Sequence, residues 1–143
     1  EKGHAAGNEL NGTTSALNLG MGRMVSKKKD SIGSTLSERS GLNTDDALIL
    51  VGLKPVDPKN PVPAGSHLMT KGDPVDSAHD QGYVTSMCYS PTIKSIIAQA
   101  FLCDGRNRMG QTVKMVEHLS GVTTLCEVCN PVFFDPEGGR LRG

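Results

Sequence analysis

Six short apolar runs between residues 47 and 128, each closed by glycine, proline or a polar turn, constrain this chain more than any other feature. Ala47-Leu48-Ile49-Leu50-Val51-Gly52-Leu53 ends at Pro55 and the loop Asp57-Pro58-Lys59-Asn60-Pro61. Ser66 to Thr70 is followed by Lys71-Gly72-Asp73-Pro74, and Gly82 to Tyr89 alternates until Ser90-Pro91. Ile96 to Cys103 is continuously apolar, as a strand buried on both faces reads. Gln111–Glu117 and Val122–Val128 flank Ser120-Gly121 and read as a half-exposed hairpin. Runs of this length at regular spacing predict a mainly β fold, a small antiparallel barrel or sandwich, over residues 47–143. Closure would remove exposed sheet edges, which matters where few helices cover them. Phe133 to Gly139 reads as a strand end with a tight turn.

Residues 1–46 read differently. Glu1 to Gly12 carries three glycines and the turn-prone Asn11-Gly12; Leu17 to Val25 is small and apolar; then Lys27-Lys28-Lys29-Asp30 breaks the pattern. Ser34, with Ser37-Glu38 behind it and Gly41 beyond, predicts one short helix near 34–40. The chain opens at Glu1 rather than at a methionine, and the expectation is a carboxy-terminal piece of a larger polypeptide.

Composition removes several function classes. Lys plus Arg and Asp plus Glu both total 15, so no net field draws the chain to nucleic acid or an anionic membrane. Trp is absent and Phe and Tyr total five, against the stacking platforms of RNA-binding modules. No apolar run approaches the ~20 residues of a membrane-spanning helix. Three of the four cysteines, Cys88, Cys103 and Cys126, lie in apolar segments, as reduced thiols do, so the expected compartment is cytoplasmic.

Self-contained chemistry is hard to find. Cys126-x-x-Cys129 sits at a strand end rather than at a helix N-terminus, and a second ligand pair would need Cys88 and Cys103 from separate strands. Residues three apart on a strand face opposite ways, so two unlinked thiols are expected and no metal site. His4, His67, His79 and His118 lack metal-binding spacing, and His79-Asp80 reads as a solvated turn. No serine sits in a GxSxG context, and Gly20-Met21-Gly22 lacks the third glycine of a dinucleotide loop. No catalytic residue is assigned. Lys27-Lys28-Lys29 could form an anion-binding patch or simply a solvated turn, and Arg140 and Arg142 carry the same two readings.

Four stretches, in order, carry a resemblance. Glu1 to Leu10 resembles a family stretch with glutamate, then Gly-Asn-acidic; Leu19 to Gly33 ends in a lysine before aspartate and an Ile-Gly pair. Gly82-Tyr83-Val84-Thr85-Ser86, then Ser90-Pro91-Thr92, resembles a barrel strand, and Pro131-Val132-Phe133-Phe134-Asp135-Pro136-Glu137-Gly138 a closing motif. Together these resemble the folate-binding aminomethyltransferase family, which includes the glycine cleavage T-protein. Glu1-Lys2-Gly3-His4, Gly22-Arg23-Met24 and Lys27-Lys28-Lys29-Asp30 are most similar to its sarcosine oxidase α-subunit branch.

That resemblance implies a C-terminal β-barrel of the T-protein type at 47–143, preceded at 1–46 by the α/β remnant of a folate-binding domain. It implies an oxidoreductase complex that demethylates sarcosine to glycine, passes the one-carbon unit to tetrahydrofolate and releases hydrogen peroxide. FAD, FMN and NAD would belong to the full complex and not to this chain, whose partners would be the rest of the α subunit and the other subunits. The T-protein, a dimethylglycine-oxidising relative and a purely structural barrel are the alternatives. The glutamate matching Glu1 implies a bidentate grip on the pterin, and Lys28 a contact to the folate's acidic tail or ring. Ser34 stands where many family members carry arginine, and the stretch bearing the family's catalytic aspartate is not in this sequence. The chain alone is expected to be inactive.

Overall fold

The structure, a computed structural model, describes residues 5–29 and 31–143. All six expected strands form: β1 (Leu48–Pro55), β2 (His67–Thr70), β3 (Gly82–Ser90), β4 (Ser95–Cys103), β5 (Thr112–Glu117) and β6 (Val122–Cys129). They close as an antiparallel barrel in the order β1-β4-β3-β2-β5-β6, so of barrel and sandwich it is the barrel that forms.

Alternation fills the interior. Val51 and Leu53 of β1, Ala98, Ala100 and Leu102 of β4, Val113 and Met115 of β5, and Cys126 and Val128 of β6 all point inward and are buried. Val62, from the loop between β1 and β2, joins this cluster, and Thr124 Oγ1 holds that loop by donating to the Pro61 carbonyl at 2.7 Å. A six-stranded barrel is only wide enough for its own side chains, so the interior is core and not a binding site.

Strand β4 is buried on both faces, as its unbroken apolar run implies. Its outward residues Ile97, Gln99 and Phe101 are as covered as its inward ones. Tyr83 packs on Phe101 with ring centroids 5.9 Å apart, and Thr13, Thr14 and Asn18 of the lead-in share a narrow crevice with the same pair. The segment before the barrel is therefore part of the fold.

Two expectations need correction. Helix α1 spans only Ser34–Ser37, with Gly33 at its N-cap in the left-handed conformation, and a separate 3-10 turn follows at Ser40–Leu42. No Ser34 side-chain cap forms, and the Asn43 amide instead donates to the Ser37 and Arg39 carbonyls, ending the helix early. Along the described part of 1–46 the order is turns, 3-10 turns and this one helix turn, with no strand among those residues. The 133–139 segment is not a strand end. Asp135 has φ +50 and its carboxylate accepts from Gly139 N and Arg140 N, turning the chain into a short helix α2 (Gly139–Arg142).

Candidate functional site

Among the described residues, hydrogen bonds fasten the lead-in to the barrel at three points. A register shift between Val84 and Ser86 bulges β3 at Thr85 and frees that residue's carbonyl, which accepts from Asn8 Nδ2 at 3.1 Å. Asn18, only 6% exposed, makes the second attachment. Its Nδ2 donates to the Leu48 carbonyl at 2.7 Å and its own carbonyl accepts from Leu50 N at 2.7 Å. β6 pairs with β1 only from Gly52 onward, so Asn18 acts as a one-residue strand over the uncovered start of β1. Third, Arg106, in the turn after β4, donates from Nη2 to the Leu17 carbonyl at 2.6 Å.

Behind these attachments lies a cavity of about 750 Å³. Ser15, Ala16 and Leu17 form one wall, Lys27, Lys28 and Lys29 another, and Ser34, Ser37, Glu38 and Asn43 contribute polar groups. Lys28, the cofactor-binding candidate, is exposed at this cavity, its backbone N–H held by Ser26 Oγ at 3.3 Å. Glu1, the other candidate, lies outside the described residues. Three lysines against one glutamate give the cavity a positive lining suited to carboxylates or phosphates.

Glu9 was not singled out by sequence, yet it is 1% exposed. Its Oε2 accepts from Ala6 N at 2.8 Å, while the buried Oε1 has no hydrogen-bond partner among the described residues. A buried carboxylate oxygen left unmatched costs on the order of 1–3 kcal/mol. Asn18 and Arg106 also escaped the sequence reading. An asparagine between Leu17 and Leu19 was the available signal for the first, and Arg106 gave none.

The remaining candidates behave as ordinary structure. Cys126 faces the core and burial pushes its thiol up to about 12, while Cys129, on the opposite face, is pushed up to about 11 by its own burial. Cys103 is also raised, chiefly by burial. His79 does not pair with its neighbour Asp80: its Nδ1 meets Asp76 at 2.6 Å, and Asp80 reaches His67 Nδ1 at 2.6 Å. His67 and His118 stand edge to face, centroids 5.6 Å apart. Arg140 stacks on Phe134 at 4.8 Å, and Arg142 donates to the Glu137 carbonyl, so these arginines organise the chain's last turn. Among the described residues no helix is long and apolar enough to cross a membrane.

Residues 49–135 match the family described as the glycine cleavage T-protein C-terminal barrel domain. The chain belongs to that family. It is also 46% identical over 143 residues to the sarcosine oxidase subunit alpha of Rhizobium meliloti (strain 1021), a match covering 99% of this chain and 14% of that protein. The corresponding subunit of Corynebacterium sp. (strain U-96) is 33% identical over 147 residues, covering 100% of this chain and 15% of the relative. The chain thus spans only about a seventh of these relatives' length. Among solved structures, the glycine cleavage system aminomethyltransferase T from Bartonella henselae shares the fold with a TM-score of 0.59 and 19% identity, over 86% of this chain and 33% of that one. In this chain the matched domain is the six-stranded closed sheet described above, with Cys126 and Val128 in its core.

Proposed function

We propose that this chain is the C-terminal portion of a sarcosine oxidase α subunit and that its lead-in helps hold a reduced folate. The whole enzyme would oxidise sarcosine, reduce oxygen to hydrogen peroxide, and pass the methyl carbon to tetrahydrofolate, giving glycine and 5,10-methylenetetrahydrofolate. Supplied at this site, tetrahydrofolate contributes the nitrogen pair that accepts the one-carbon unit. Lys28 neutralises a carboxylate of its acidic tail, with Lys27 and Lys29 adding charge along the same cavity. Glu1 accepts paired N–H bonds from the pterin, and residues 1–46 act as the remnant of its binding domain. These groups bind and orient, so their contribution to rate is proximity and not proton transfer. The observation that carries the reading is a lysine-lined cavity within a segment similar along its whole length to sarcosine oxidase α subunits.

A second reading, a barrel that only supports folding and assembly, draws on the filled interior and on the hydrogen bonds that fasten lead-in to barrel. Product partition in the assembled enzyme separates the two. Glu1→Ala and Lys28→Ala should leave peroxide release intact, while methylenetetrahydrofolate falls and free formaldehyde rises. Unchanged partition in both variants would favour the structural reading.

A further inference from the structure

Among the described residues, the barrel reaches the wall of the lysine-lined cavity through hydrogen bonds to backbone carbonyls, and those bonds fix that wall. Asn18 Oδ1 accepts from Ser15 N at 2.8 Å and from Ser15 Oγ at 2.6 Å, while its Nδ2 and carbonyl grip Leu48 and Leu50 of β1. One side chain therefore ties the first wall residue, Ser15, to the barrel edge. Arg106 takes the carbonyl of Leu17, two residues further along that wall. Between these anchors the Met21 N–H closes on the Ala16 carbonyl at 2.8 Å and starts the turn that leads to the lysines. Few other contacts brace this stretch: Leu17, Met21, Met24 and Val25 are all substantially exposed. A wall with so little packing of its own takes its position from the hydrogen bonds that hold its ends.

We propose that Asn18 and Arg106 are positioning residues through which the barrel sets the affinity of the lysine-lined cavity for a carboxylate-bearing ligand. The inference rests on the folate reading of that cavity and deepens it, since it makes the barrel a determinant of the site and not a bystander. Arg106 is the more informative of the pair because it is exposed and lies outside the cavity lining. Its guanidinium meets a neutral carbonyl, so its role is geometric and lysine should substitute for it in part.

The test uses the chain uniformly labelled with ¹⁵N and 5-formyltetrahydrofolate as the probe, in two arms. In the first, amide exchange is compared across unsubstituted, Asn18→Ala and Arg106→Ala chains. The Leu50 and Met21 amides should exchange faster in the variants while Val84 and Cys103 keep their protection. Uniform loss of protection in Arg106→Ala, or no change, overturns the proposal. In the second, the ligand is titrated against the signals of Lys27, Lys28 and Lys29. Arg106→Ala should weaken binding by roughly tenfold, the equivalent of one lost charge-assisted hydrogen bond, and Arg106→Lys should recover most of it. A lysine response with the same affinity in all three chains overturns this inference alone. No lysine response in the unsubstituted chain overturns the cavity reading, and the inference with it.

Discussion

Gly52 gives the sharpest test of how the barrel and the chain's last segment fit together. It lies on β1 between the inward-facing Val51 and Leu53, so its missing side chain would point outward. There the last segment crosses the sheet, and Lys54, two residues on along the same face, sits with Nζ 5.9 Å from the centre of the Phe133 ring. A Cβ added at Gly52 would stand 2.5 Å from the Asn130 carbonyl oxygen and 2.8 and 2.9 Å from two Phe133 ring atoms. Both neighbours are within contact distances that carbon does not tolerate. The ring could swing away, but the carbonyl belongs to backbone directly following β6 and cannot move without lifting the segment.

Overpacking of this kind costs about 1–3 kcal/mol, and a backbone clash puts Gly52→Ala near about 3 kcal/mol. Removing glycine from a strand interior returns about 0.5–1 kcal/mol, leaving a net loss of about 2 kcal/mol. At about 3 °C per kcal/mol for a chain of this size, Tm should fall by roughly 6 °C. Thermal unfolding followed by far-ultraviolet circular dichroism measures it. Gly41→Ala is the control, because no atom lies within 4 Å of its added Cβ and its backbone is not left-handed. In a Phe133→Ala background the penalty at Gly52 should shrink, since only the carbonyl contact remains. A fall below about 2 °C, or strict additivity with Phe133→Ala, would refute the idea that this glycine exists to admit the segment.

Three further outcomes follow from burial and charge. A thiol reagent at pH 8 should modify Cys88, the exposed cysteine, rapidly and Cys126 only on unfolding, because burial holds the Cys126 thiol up to about 12; fast labelling of Cys126 would contradict a closed barrel. Glu117 accepts from Leu119 N at 2.9 Å, from Ser120 N at 2.7 Å and from the Ser120 hydroxyl, and these bonds hold its carboxyl below the ordinary value. A carboxyl depressed on folding supports the hairpin turn above its unfolded pKa and loses that support as pH falls through the folded one, so the Ser120 amide resonance should titrate in the acid range and Glu117→Gln should abolish that titration. Isothermal titration of this chain with a reduced folate should give affinity weaker than low micromolar, because on the proposed reading Glu1 and the cavity would supply only part of a folate pocket; a low-micromolar value would show the pocket to be more complete than proposed.

Strand content was legible because each strand carries its own signature. Gly82 to Tyr89 alternates, Ile96 to Cys103 is apolar throughout, and Ser120-Gly121 marks a hairpin turn, with Gly121 at φ +71 as that turn requires. Closure was less legible, since periodicity reports which way a side chain faces and not which strands meet. The pairing of β1 with both β4 and β6, and of β2 with β5, depends on contacts far apart in sequence. Lys28 could be named because adjacent lysines are visible in a sequence, whereas a cavity beside them is not. Asn18 and Arg106 stayed hidden for the same reason: their partners are carbonyls 30 and 89 residues away, and backbone carbonyls have no sequence signature. The error at 133–139 came from reading Phe133-Phe134 as strand propensity, when those rings pack under Lys54 and Arg140 from an irregular segment.

A barrel packed solid by its own side chains can act only through its outer surface, and here that surface is unevenly used. The outer face of β4 at Phe101 and the start of β1 lie beside the lead-in, and β1 from Gly52 to Lys54 carries the Phe133 segment. The far end of the β3–β4 hairpin, by contrast, leaves Met87 and Tyr89 exposed. The faces that receive the lead-in are those where the ladder is interrupted, at the Thr85 bulge and at the start of β1, which pairs with β4 but not with β6. Interruptions leave backbone groups in need of partners, and Asn8 and Asn18 supply them. Replacing either asparagine with aspartate tests this directly, because a carboxylate cannot donate to the Thr85 or Leu48 carbonyl. Asn18→Asp should be the more damaging, placing a charge in a site 6% exposed, whereas Asn8, which is exposed, should tolerate the change with a loss near about 1 kcal/mol. Equal losses in urea unfolding would mean that the lead-in is held by packing, and that the breaks in the sheet are incidental to where it lies.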